Sequence, residues 1–153
     1  MAEQTKVTVE ATVNAPVEKV WQVWNNPTDI VKWNTPDPSW HTPSSENDLR
    51  TNGKFKHRME AKDGSFGFDF EGTYDKVELY KEIAYTMPDG RTAITLFIEE
   101  GGKTTLTTTF DTETQNDPEF QKQGWQSILD NFVKYAESKF FQFYRVYFNN
   151  INK

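Results

Sequence analysis

His41 and His57 are the only imidazoles in the chain and lie on separate segments, so no His-x-x-x-His pair exists and no metal site is expected. His57 has the better claim to chemistry. In "KFKHRMEAK" the residues Phe55, His57, Met59 and Ala61 alternate with Lys54, Lys56, Arg58, Glu60 and Lys62, and that period of two sets the ring on the apolar face of a strand. There an imidazole is either a proton-transfer group or ligand donor in an apolar room, or a histidine hydrogen-bonded to a tyrosine or to backbone.

The acid pairs Glu99 with Glu100 and Asp111 with Glu113 have the residue types of glycosidase chemistry. They flank turns and strand ends, where solvated charge is the simpler reading. The chain holds no Gly-x-Ser-x-Gly elbow, no Walker loop and no Gly-x-Gly-x-x-Gly after a strand. With no cysteine there is no thiolate nucleophile, no disulfide and no Cys-ligated metal. No residue is assigned a catalytic role, and no cofactor is expected.

The elements that must position these groups follow from periodicity. "KVTVEATV" sets Val7, Val9, Ala11 and Val13 on one face of a half-buried strand. "NAPVEKVWQVW" places Val17, Val20, Trp21 and Trp24 on one helical stripe, with Asn14 as candidate N-cap and Pro16 early in the first turn. A second short helix, "PTDIVKWN", starts at Pro27 and turns Ile30, Val31 and Trp33 inward. A DNA-binding helix-turn-helix is disfavoured, because Lys19 and Lys32 stand against Glu18 and Asp29.

"TPDPSWHTPSSEND", rich in Pro, Ser and Asp, is expected to be a long loop carrying Trp40 and His41. From Asp48 to Asp111 strands follow one another, separated by Asn52-Gly53, Asp63-Gly64, Asp89-Gly90 and Gly101-Gly102. Phe66, Phe68, Phe70 and Tyr74 share one face, and Leu106 and Phe110 point away from Thr105, Thr107 and Thr109. Period 3.6 then takes over: Trp125, Ile128, Leu129, Phe132 and Ala136 form the stripe of a long helix with Asp117 as cap candidate and Pro118 in its first turn.

One strand, two short helices, about six strands and a long helix predict an α+β fold, a curved antiparallel sheet gripping that helix. At 153 residues the chain fits one domain. The net charge of -6, with 17 Lys and Arg scattered among acids, argues against nucleic acid. No apolar run approaches the roughly 20 residues that span a bilayer, so membrane insertion is not expected, and the amino terminus lacks the pattern of a secretory signal. A cytoplasmic location is the expectation. Aromatics make up 15% of the chain, so whatever fills the centre is aromatic.

The order of elements, together with "NAPVEKVWQVW", Trp33-Asn34, "DLRTNGKFKHRMEAKDGSFGFDFEGTYDKV" and "GWQSILDNFVKYAE", resembles the activator of heat-shock protein 90 ATPase homologue family, bacterial single-domain type, in the START-like superfamily. The likeness runs from Thr5 to about Ser138, and Gly124-Trp125 is its most specific part. It implies a helix-grip fold: six or seven strands around the C-terminal helix, a hydrophobic cavity between them, and two short helices closing one end. Superfamily relatives include lipid carriers, polyketide cyclases and aromatases, a self-sacrificing resistance protein and a eukaryotic co-chaperone domain. Fold alone does not choose among them.

On that likeness the candidate cavity residues are Trp24, Trp33 and Trp40 from the amino-terminal third, His57, Met59, Phe68, Phe70 and Tyr85 from the strands, and Trp125, Leu129 and Phe132 from the long helix. The leading expectation is a binder of a lipid-like or polyketide-like small molecule without catalysis. A cyclase or aromatase using His57 or Tyr85, and a co-chaperone-like interaction module, are the alternatives. The space could equally be filled by the bulk of Phe66, Phe68, Phe70, Trp125, Leu129 and Phe132. The domain is placed at 1-138. Residues 139-153 form an aromatic extension in which Phe140, Tyr144, Tyr147 and Ile151 fall near helical spacing while Phe141, Phe143 and Phe148 do not. It is read as a continued helix or packed tail, a homodimer or partner contact, or an unstructured extension.

Overall fold

The computed structural model describes residues 5–151, with the side chains of 142–148 and of residue 151 outside the description. Its elements run β1 (Lys6–Val13), α1 (Val17–Asn25), α2 (Pro27–Trp33), β2 (Trp40–Asn47), β3 (Lys54–Ala61), β4 (Gly67–Glu78), β5 (Glu82–Thr86), β6 (Thr92–Glu100), β7 (Lys103–Asp111) and α3 (Pro118–Ile151). Seven strands form one antiparallel sheet in the order β1-β7-β6-β5-β4-β3-β2. Bulges between His41 and Ser44 and between Tyr74 and Lys76 bend it around α3. This is the α+β helix-grip architecture.

The segment expected to be a loop is a strand from Trp40 onward. β2 is the sheet edge, and Pro43 sits in its bulge, where a missing N–H interrupts no ladder. Asn14 does not cap α1: Pro16 holds the N-cap position without a side-chain bond, and Glu99 from β6 accepts from Val17 N at 2.9 Å instead. Asn26 caps α2 through Thr28 N, and Asp117 accepts from Glu119 N at the start of α3.

The core sits where β1, β7 and β6 meet α1 and α3. Val13, Val20, Leu106, Phe110 and Phe132 are fully buried there. Burial alternates along β7, with Thr104, Leu106, Thr108 and Phe110 inward and Thr105, Thr107 and Thr109 half-exposed. On β6 the same alternation turns Ala93, Thr95 and Phe97 in and Ile94, Leu96 and Ile98 out.

Three polar contacts tie α2 to α3. Tyr135 Oη donates to the buried carboxylate of Asp29 at 2.7 Å, beside Lys139 Nζ, and Asn131 Nδ2 donates to Trp33 O at 2.8 Å. α3 continues as helix through Ile151. Phe140 packs against the core and Phe141 is exposed. The expected helical spacing of Tyr144, Tyr147 and Ile151, and the places of Phe143 and Phe148, fall on residues outside the described side chains.

Candidate functional site

A cavity of about 200 Å3 lies between the sheet and α3, beside the core. Its sheet wall follows from the register of β3 and β4, which pairs Phe55 with Gly72, His57 with Phe70 and Met59 with Phe68 on the inward face. Tyr74, paired with Tyr85 across β4 and β5, extends the wall. α3 supplies Trp125, Ile128 and Leu129, and the short helices supply Trp24, Asn25, Ile30, Trp33 and Asn34.

The rings are fixed by one another. Trp24 stacks on Trp33 with centroids 4.8 Å apart, and both meet Phe132 edge-on at 4.9 Å. Trp33 Nε1 also donates to Val23 O, which locks α2 onto α1. Trp125 lies flat on Phe110 at 4.0 Å and presents itself edge-on to Phe70 at 5.9 Å, bridging helix and sheet.

Most polar groups in the wall are spent on the protein. Tyr74 Oη donates to Asn47 Oδ1, Asn47 Nδ2 to Asn25 O, and Asn25 Nδ2 to Trp21 O. Thr95 and Thr108 pair hydroxyl to hydroxyl at 2.8 Å. His57 Nδ1 shares a hydrogen bond with Ser45 Oγ at 2.8 Å, so its partner is a serine on β2 rather than a tyrosine or backbone. Burial lowers the imidazole from 6.5 to about 4, which keeps it neutral. Burial likewise pushes the Tyr74 and Tyr85 hydroxyls above their ordinary range.

Some polar atoms of the lining stay uncommitted among the described residues. The Tyr85 hydroxyl has no hydrogen-bond partner, and Asn34 Nδ2 is buried without one. Among the described residues no Asp, Glu, Lys or Arg lines the cavity. Among the described residues no cluster of His, Asp or Glu could hold a metal ion, and no helix is long and apolar enough to cross a membrane.

Residues 14–137 match the family described as activator of Hsp90 ATPase homolog 1-like protein. The chain belongs to that family. An AHSA1-like protein from Aeromonas hydrophila, solved in solution, is 44% identical with a TM-score of 0.82, covering 88% of this chain and 94% of that one. A protein from Cytophaga hutchinsonii is 46% identical with a TM-score of 0.77 over 88% and 94%. One from Nitrosomonas europaea, 21% identical with a TM-score of 0.76 over 88% and 95%, shares the fold. A search of curated proteins gave no match.

In this AHSA1-like chain Trp24, Trp33, His57, Met59, Phe68, Phe70, Tyr85, Trp125 and Leu129 come together around the cavity. Phe132 stands behind Trp24 and Trp33 as core, and Trp40 sits outside with Phe66 and Phe68 at 6.1 Å. Phe66 is 60% exposed and so does not plug the space. Sequence reasoning passed over Asn25, Asn34, Asn47, Phe55 and Tyr74. Strand parity with His57 and Phe70 could have found Phe55 and Tyr74, whereas the asparagines carry no periodic signal.

Proposed function

We propose that this chain binds an apolar or aromatic small molecule in the cavity between sheet and α3 and holds it without changing it. The observation that carries this reading is the cavity itself, whose wall is set with Trp, Phe and Tyr rings and a few convergent polar groups, the usual make-up of a small-molecule site. The Aeromonas and Cytophaga proteins have the same fold at 44% and 46% identity, so the same site can be sought in them.

Catalysis by His57 or Tyr85 is the second reading, supported by their place in the wall. Proton transfer is most efficient when the group titrates near the working pH. Burial moves His57 down to about 4 and Tyr85 upward, which weakens one as a base and the other as an acid. Binding therefore accounts for the site better than turnover does.

The test is thermal melting and tryptophan fluorescence against a panel of lipids and aromatic polyketides, with Trp24, Trp33 and Trp125 as reporters. A true ligand at a hundred times its Kd adds about 2.7 kcal/mol. Unchanged melting and fluorescence across the panel and across single-ring aromatic compounds would end this reading. Turnover of a poly-β-ketone analogue that is lost in His57→Ala and Tyr85→Phe would replace it with the catalytic one.

A further inference from the structure

We infer that the cavity selects an uncharged, phenol-class molecule of about one ring, whose hydroxyl meets Tyr85 and His57. This rests on the binding role proposed above and narrows it in size, charge and polar pattern.

Size comes first. An engineered cavity of about 150 Å3 is known to hold benzene, so the space of about 200 Å3 takes a single ring with a short substituent. A long acyl chain or a fused polyketide exceeds it. Ring edges and faces from Trp125, Phe70 and Phe55 surround the space, and such surfaces favour another ring over an equal volume of chain.

Charge comes second. Among the described residues no Asp, Glu, Lys or Arg lines the cavity, and His57 stays neutral through burial. A carboxylate or ammonium drawn in would lose its water without gaining a counter-charge. Fatty acids are disfavoured by this argument as well as by length.

The polar pattern decides the class. Tyr85 and His57 both abut Phe55, with centroids 4.8 and 5.2 Å away, and both line the cavity, so the two rings share one stretch of its sheet wall. The Tyr85 hydroxyl is uncommitted, and His57 has only Nδ1 engaged, with Ser45. If Ser45 donates to Nδ1, then Nε2 carries the hydrogen and needs an acceptor; in the other tautomer Nε2 needs a donor. A hydroxyl is both, and so suits either tautomer. A ketone or ether suits only one.

The experiment titrates the protein at neutral pH with para-propylphenol, propylbenzene, para-propylbenzoate and dodecanoate, read by tryptophan fluorescence and calorimetry. The phenol should bind about three- to tenfold more tightly than propylbenzene, the worth of one net hydrogen bond, and at least about tenfold more tightly than the benzoate. In Tyr85→Phe, which keeps the ring, the preference for phenol over propylbenzene should shrink. Benzoate or dodecanoate binding as well as the phenol overturns this inference and leaves the binding role standing. Propylbenzene matching the phenol also overturns it, since the hydroxyl would then do nothing. No binding by any of the four, while larger lipids or polyketides bind, overturns this inference and leaves the binding role standing; silence from all of them rejects the binding role too.

Discussion

The ring of Phe55 lies over Gly72 on the neighbouring strand: a Cβ built on Gly72 would stand 2.9 Å from Phe55 Cε1 and Cζ and from Thr86 O. The missing side chain lets Phe55 lie across the sheet floor and touch Phe70, Tyr74 and Tyr85 at once. The depth of the cavity depends on that gap.

Gly72→Ala therefore has an informative sign. In an unconstrained strand alanine would gain about 0.5–1 kcal/mol over glycine, whereas overpacking against Phe55 should cost about 1–3 kcal/mol. Urea unfolding decides between them, and the loss should shrink when Phe55→Leu is combined with it, because the two sites share one contact. A stabilised Gly72→Ala would show that the ring is free to move aside.

His57 should give the protein an acid-sensitive window. Its imidazole titrates at about 4 when folded and at 6.5 as the ordinary value, so above 6.5 it is neutral in both states and contributes no slope. As pH falls from 6.5 toward 4 the unfolded chain gains a proton that the folded chain refuses, and stability should drop by about 3 kcal/mol in all. The drop levels off below about 4. His57→Gln should flatten this stretch of the curve of urea midpoint against pH; an unchanged slope would assign it elsewhere. Asp111 acts in a lower window: burial opposes its charge, yet hydrogen bonds from Lys6 and Thr92 hold its carboxyl below 3.8, so its contribution fades only as pH falls below that value.

Tyr135→Phe should separate α2 from α3. The hydroxyl donates to the buried Asp29 carboxylate, and burial, joined by that contact, pushes the Tyr135 hydroxyl up to about 12. Losing a hydrogen bond to a charged acceptor should cost about 2 kcal/mol. Denaturant unfolding measures it, and a loss within error would mean that Lys139 alone satisfies Asp29.

Asn34→Leu should do the reverse. Its amide nitrogen is buried and unpaired, and replacing an unsatisfied group by an apolar one of similar size should gain about 1 kcal/mol, or about 2–4 °C in melting temperature. Ligand affinity should fall if the amide serves the bound molecule, which titration of the same variant reads directly. A lower melting temperature would place an unseen partner on that amide.

Much of the fold was legible because it rests on local periods. The alternation in "KFKHRMEAK" and "KTTLTTTFD" gave strand faces that the burial of β3 and β7 repeats, and Pro27, Asp117 and Pro118 marked helix starts. β2 was hidden because Pro43 and its serines, after Pro36 and Pro38, read as loop, and only its pairing with β3 makes it a strand. The N-terminus of α1 was misassigned to Asn14 because its real partner, Glu99, lies 82 positions away in sequence.

The sequence by itself determined which face of β1, β3, β7 and α3 turns inward, since burial of apolar side chains follows the strand and helix repeat. It could not determine where those faces meet closely and where they stand apart. Phe132 and Trp125 lie on the same stripe of α3, yet one is sealed behind Trp24 and Trp33 and the other lines open space. That difference comes from the curvature of the sheet, set by two bulges and by a glycine beneath Phe55, and curvature is a property of strands held together by long-range pairing.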